Sequence, residues 1–179
     1  MDLYQILTTH NRPWSIREIV VFMLLLAVVA GFLLQRLKAH RITKGRAVAG
    51  LALYGFLGIV FASTVFTRTP GNRAYELLPF WSWREILLHQ DWNLLQENVL
   101  NIILFVPIGI LLFPLFRKIT WKSALVIGLA ISALIEISQL ILCRGLFEWD
   151  DMIHNTLGCV LGYLVASLVF QKRCRRKVK

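Results

Sequence analysis

The chain has 179 residues, 57% hydrophobic and 17% charged, with a formal net charge of +10. With a mean hydropathy of +0.63, this composition points to a membrane protein and away from a soluble domain. The cations flank apolar runs, so the basic balance reflects orientation in a membrane, and no nucleic-acid partner is expected.

Five apolar stretches follow in chain order: Ile19–Leu37, Val48–Thr67, Val99–Phe116, Ala124–Leu142 and Met152–Phe170. Each is long enough for a spanning helix. The expected fold is therefore all-α: an integral membrane bundle of about five transmembrane helices, read as one membrane domain over residues 1–179. The third stretch holds Asn101, Pro107 and Pro114, and the Pro107 ring is expected to remove one backbone bond and kink the helix. The longest loop, Arg68–Glu97, contains Phe80-Trp81-Ser82-Trp83 followed by Arg84-Glu85-Ile86-Leu87-Leu88. Trp83, Ile86, Leu87 and Gln90 share a helical face, which predicts a short interfacial helix with tryptophans at headgroup level.

Charge sets the expected orientation. Arg36, Lys38, Arg41, Lys44 and Arg46 lie in the first loop, and Arg117, Lys118 and Lys122 in the third. Lys172, Arg173, Arg175, Arg176, Lys177 and Lys179 lie in the tail. These fourteen cations fall on one side with no acid among them. The other side carries Arg12, Arg17, Arg68, Arg73, Arg84 and Arg144, with every acid except Glu136. The positive-inside rule then puts the N-terminus outside and the C-terminus in the cytoplasm. Val28-Val29-Ala30 resembles a cleavage site, but the apolar run continues through Leu34 and cations follow, so the first helix is expected to be retained.

Glu136 is the one ionisable group in Ala124–Leu142. A charge at membrane depth costs a few kcal/mol unless it is paired, hydrated or neutralised, and such groups usually face a protein interior or a water-filled cavity. Helical periodicity places Gly128, Ser132, Glu136 and Gln139 on one stripe. It does the same for Asp151, Asn155, Gly158 and Gly162, and for Asn98 with Asn101. Glu136 lies roughly 9 Å below the outer end of its helix at 1.5 Å per residue. Asn101 and Asn155 fall at comparable heights. Gly158 and Gly162 form a GxxxG that lets helices approach closely.

Bland readings compete at each position. Asn, Ser and Gln also serve as interhelical glue, which is the leading reading for Asn98, Ser132 and Gln139 and is balanced against a functional role for Asn101 and Asn155. Asp151 fits a cap on the fifth helix. Arg144 reaches Glu136 only if its loop folds back over the helix end. His154 has no second histidine nearby to complete a zinc set. No GxSxG, HExxH or phosphate-binding loop is present. No cofactor or metal is expected. Cys143, Cys159 and Cys174 lie at different expected depths and suggest no bridge.

Three blocks carry a family resemblance: ENVLNIILFVPIGILL from Glu97, SALIEISQL from Ser132, and RGLFEWDDMIHNTLGCVLG from Arg144. In order and spacing they resemble the VanZ-like family of small bacterial membrane proteins, over roughly Arg68–Phe170. The family is named for a protein linked to teicoplanin resistance. The resemblance implies a bacterial plasma membrane, an all-helical fold and a role at the cell envelope, with no settled reaction. Its motif residues fall on Asn98, Asn101, Pro107, Gly109, Glu136, Gln139, Arg144, Asp151, Asn155 and Gly158.

The leading expectation is a polar pocket in the outer leaflet, built from Asn98, Asn101, Glu136, Gln139, Arg144, Asp151 and Asn155. It would engage an amphipathic envelope molecule: a lipoglycopeptide or a lipid-linked wall precursor. The alternative is a membrane enzyme acting on an envelope lipid, with Glu136 and Asp151 as the acid/base pair. A transporter is third, since no repeat supplies the usual symmetric halves.

Overall fold

Short polar residues start the long helices by accepting backbone N–H groups that have no intrahelical partner. Ser15 and Glu18 form a capping box at the start of α1, Ile16–Lys38. Thr43 accepts from the Arg46 N–H at the start of α2, Lys44–Phe61. The chain then passes through one π-helical turn, Ala62–Phe66. A short strand β1, Ala74–Glu76, and helix α3, Trp81–His89, come next. Asp91 caps α4, Trp92–Leu115, and Thr120 caps α5, Trp121–Leu142. Strand β2, Leu146–Glu148, leads directly into α6, Trp149–Lys177. This computed structural model describes residues 12–116 and 119–177, with side chains described as far as 170. Arg117, Lys118, Cys174 and the cations of the tail, on which part of the sequence reading rests, lie outside the described residues or side chains.

Five helices are long and apolar enough to cross a membrane: α1, α2 with its π turn, α4, α5, and α6 as far as Phe170. The third begins at Trp92, seven residues before the expected Val99, because Asp91 accepts the N–H groups of Asn93 and Leu94. It runs on through Pro107 and Pro114.

Glycines set the tightest packing. A Cβ at Gly158 would meet the Ile102 carbonyl, and one at Gly162 would meet the Val106 carbonyl. Across the same seam, a Cβ at Gly109 would meet the Cys159 carbonyl. The α4·α6 contact is the most extensive in the molecule, so the GxxxG seats α6 against α4 as its spacing predicts. On the far side, Gly128 admits the Cys159 side chain. Phe105, Ile108, Leu112, Val60, Val65, Ile135 and Cys159 fill the core between α2, α4, α5 and α6. Helix α1 stands outside this core, packed on α2, with none of its residues buried.

The loop before α3 is more ordered than its sequence suggests. After the π turn, Gly71 N–H donates to the Cys143 carbonyl at 2.7 Å. Strands β1 and β2 then pair in parallel, with Ala74 opposite Leu146 and Glu76 opposite Glu148. The segment leaving α2 is thus stitched to the segment joining α5 to α6.

Candidate functional site

The α5 stripe packs inward as its period requires: Gly128, Ser132, Glu136 and Gln139 are all buried. Glu136 retains 1% of its exposure. Its Oε2 accepts the backbone N–H of Glu148 at 3.1 Å. Two further acids, Glu148 and Asp151, bear electrostatically on it, and so does Arg68. The Arg68 charge acts on Glu148 and Asp151 as well. Three acids from α5, β2 and α6 therefore lie within electrostatic reach of one guanidinium, with Glu97 of α4 also bearing on Glu148 and Asp151. Asn101 completes the α4 side by donating to Asp151 Oδ1 at 2.6 Å.

Arg68 reaches this position because the π turn redirects the chain at the end of α2. Thr67 N–H and Oγ1 both return to the Ala62 carbonyl, at 2.8 and 2.9 Å. Gln139 Nε2 donates to the Thr64 carbonyl at 2.9 Å, and Arg144 donates to the Phe66 carbonyl. Gly145 completes the seat. Its φ of +118° suits glycine, and a Cβ there would meet Arg68 Nη1 and the Gln139 amide carbon. π turns of this kind often mark functional positions.

Several sequence expectations are corrected. Arg144 binds the end of α2, and the cation whose charge bears on Glu136 is Arg68, which in the charge count is only one outer cation among six. Asn98 and Asn101 share a helix but part company: Asn98 Nδ2 donates to Ser82 Oγ at 3.1 Å, away from Asp151. Asp151, for which a helix cap is the bland alternative, accepts from Asn101. Its neighbour Asp150 does the capping, and for another helix. Asp150 accepts from the backbone N–H of Phe80 and, at 2.9 Å, of Ser82, and from the Ser82 hydroxyl. These bonds hold Phe80 at φ 63°, a left-handed conformation unusual for a bulky residue.

His154 belongs to the same tie. Its Nε2 accepts from Trp83 Nε1 at 2.9 Å, so Trp83 anchors α3 to α6. The shared face expected for Trp83, Ile86, Leu87 and Gln90 stops short, because α3 ends at His89 and Gln90 turns left-handed. Asn155 Nδ2 donates to Ser132 Oγ at 2.9 Å, an interhelical bond between α6 and α5. Cys143 and Cys159 are free thiols.

Two buried acceptors of this region are left over. Gln139 Oε1 and Asn155 Oδ1 are buried without a hydrogen-bond partner among the described residues. Buried polar atoms are normally satisfied, so each such orphan calls for an explanation. Glu148, just outside the membrane-spanning helices, has its carboxyl pushed up to about 8. Burial is the main cause; the neighbouring Asp151, Glu97 and Asp150 add to it, and Arg68 opposes them. Such a group carries a proton at neutral pH and can donate or accept one. No group of three or more His, Cys, Asp or Glu residues suited to a metal ion occurs among the described residues.

A family model described as VanZ/LLP1 matches residues 47–170. It takes in most of α2 as well as the three motif blocks. One relative is "Protein VanZ" of Enterococcus faecium, 36% identical over 73 residues. That stretch is 41% of this chain and 45% of the relative, so the chain matches under half the relative's length. No solved structure matches. With a family match across the whole cluster and five apolar helices, the chain is a multi-pass membrane protein that belongs to the VanZ/LLP1 family.

Proposed function

We propose that the protein lowers susceptibility to teicoplanin-type lipoglycopeptides by engaging a donor-rich envelope molecule at the Arg68 cluster. The observation that carries this reading is a buried acid cluster flanked by two unpartnered carbonyl oxygens. Glu136, Glu148 and Asp151 all feel the charge of Arg68, and the Gln139 and Asn155 carbonyl oxygens have no described partner. Amine or sugar hydroxyl groups supply the missing donors, and lipoglycopeptides and lipid-linked wall precursors carry both. Glu136 accepts from the ligand or pairs with its cation, Arg68 balances the remaining charge, and Asn101, Gln139 and Asn155 orient it. Asn98 and Arg144 act one step back, by holding α3 and the end of α2. The cluster lies in the outer leaflet of a bacterial plasma membrane, with the N-terminus outside, as the distribution of cations implies.

Binding of labelled teicoplanin to the purified protein tests this. Specific, saturable binding is expected for the wild type, weakened about tenfold or more in Glu136→Gln through loss of a carboxyl hydrogen bond. Equal binding by both would remove Glu136 from the mechanism.

A second reading has its own support. The protonated Glu148 carboxyl beside Glu136 and Asp151 suits acid/base chemistry on an envelope lipid. Turnover of a lipid precursor, abolished in both Glu136→Gln and Asp151→Asn, would favour this membrane-enzyme reading over binding alone.

A further inference from the structure

The acid cluster does not account for a second feature of the molecule. A groove of about 570 Å³ runs between α1 and α2, lined by Phe22, Leu25, Leu57 and Phe61, with Trp14 and Arg17 at one end. That volume lies within the roughly 300–1,000 Å³ of ordinary ligand sites. The two segments are tied at one end of the groove and touch in its middle. At one end Arg12 N–H donates to the Thr67 carbonyl at 2.9 Å. In the middle Phe22 lies over Gly58, where a Cβ would collide with its ring. Trp14 meets Phe22 edge-on at 5.7 Å.

The charges at this end are unequal. Glu18 is committed to Arg12 through two bonds, one of 3.1 Å. Arg17 is exposed and makes no ion pair among the described residues. The end of the groove thus presents one uncompensated cation above an apolar channel that opens at membrane depth.

We infer that this groove is a binding site for one anionic phospholipid, its acyl chain between α1 and α2 and its acidic headgroup on Arg17. The apolar walls accept the chain without desolvating any polar group, and the guanidinium pairs with the phosphate. A zwitterionic lipid fits the channel equally well but gains less from the cation. A basic residue near a membrane surface favours anionic lipid by about fivefold.

The test uses the full chain in mild detergent with added phosphatidylglycerol or phosphatidylcholine, and native mass spectrometry to count bound lipid. The wild type retains phosphatidylglycerol about fivefold over phosphatidylcholine. Arg17→Gln brings that ratio to near one. Val21→Trp, at an exposed position in the groove wall, lowers retention of both lipids. Arg84→Gln removes an exposed cation on α3 and leaves the ratio unchanged. A wild-type ratio near one, an equal loss in Arg84→Gln, or full retention in Val21→Trp would each overturn the assignment. None of these outcomes bears on teicoplanin binding at the Arg68 cluster.

Discussion

The carboxylate of Glu136, on α5, accepts the backbone N–H of Glu148, at the end of β2, across 3.1 Å. One buried acid thereby fixes the entry of α6, the helix that carries Asp151 and Asn155. The same side chain thus has a structural bond and an electrostatic role, and substitution can separate them. Glu136→Gln keeps an acceptor, so its stability should stay close to that of the wild type. Glu136→Leu leaves the Glu148 N–H unsatisfied and should cost about 1–3 kcal/mol. Denaturant or thermal unfolding in mild detergent measures both. Equal losses in the two variants would mean that the hydrogen bond contributes nothing.

Glu148 makes a prediction about pH. Its carboxyl is pushed up to about 8 in the folded protein, whereas an exposed glutamate titrates near 4.5. Between those values the folded state holds a proton that the unfolded state has lost. This group's contribution to stability therefore falls as pH rises through that window and is constant above and below it. Glu148→Gln should remove that part of the pH dependence. A difference between wild-type and variant unfolding that stays flat from pH 4.5 to 8 would contradict the assignment.

The α4·α6 seam predicts a contrast between glycines. Gly158→Ala puts a methyl group into the Ile102 carbonyl and should destabilise the protein by about 1–3 kcal/mol through overpacking. Gly31 lies mid-helix in α1, and a Cβ added there would have nothing within 4 Å. Gly31→Ala should therefore be neutral or stabilising by up to about 1 kcal/mol. Melting temperatures of the two variants decide the matter, and a shift of the same sign and size in both would sink it.

Asp150 predicts local opening. Asp150→Ala removes the acceptor for Phe80 N–H, Ser82 N–H and Ser82 Oγ. It should speed amide exchange across Trp81–His89 by about tenfold or more, since a lost cap costs about 1 kcal/mol and a buried charged acceptor more. Exchange within α4 should change far less. Uniform acceleration throughout the helices would instead indicate global unfolding.

Much of this arrangement is legible in the sequence, for a physical reason. Helical period and membrane length are local properties, so the five spans, the Glu136 stripe and the Gly158–Gly162 seam can be read directly. Arg68 cannot. Its place depends on a π turn, on contacts of the Thr64 and Phe66 carbonyls with Gln139 and Arg144, and on the space left by Gly145, none of which has a periodic signature. The parallel pairing of Ala74–Glu76 with Leu146–Glu148 is too short to show alternation. Asp150 takes the capping role that the sequence suggests for Asp151. Adjacent residues on a helix point about 100° apart, and sequence alone does not say which neighbour each meets. The one hint is Arg144-Gly145, a glycine beside the acidic run, which marks a turn with room for another side chain.

The most direct test of the Arg68 cluster is to identify what it holds. The intact protein and Glu136→Gln would be purified side by side from an envelope-containing bacterium, and their bound small molecules extracted and compared by mass spectrometry. The account predicts a donor-rich amphiphile, bearing amine or sugar groups, that copurifies with the wild type and falls about tenfold or more in the variant. The same molecules in the same amounts on both folded proteins would contradict it.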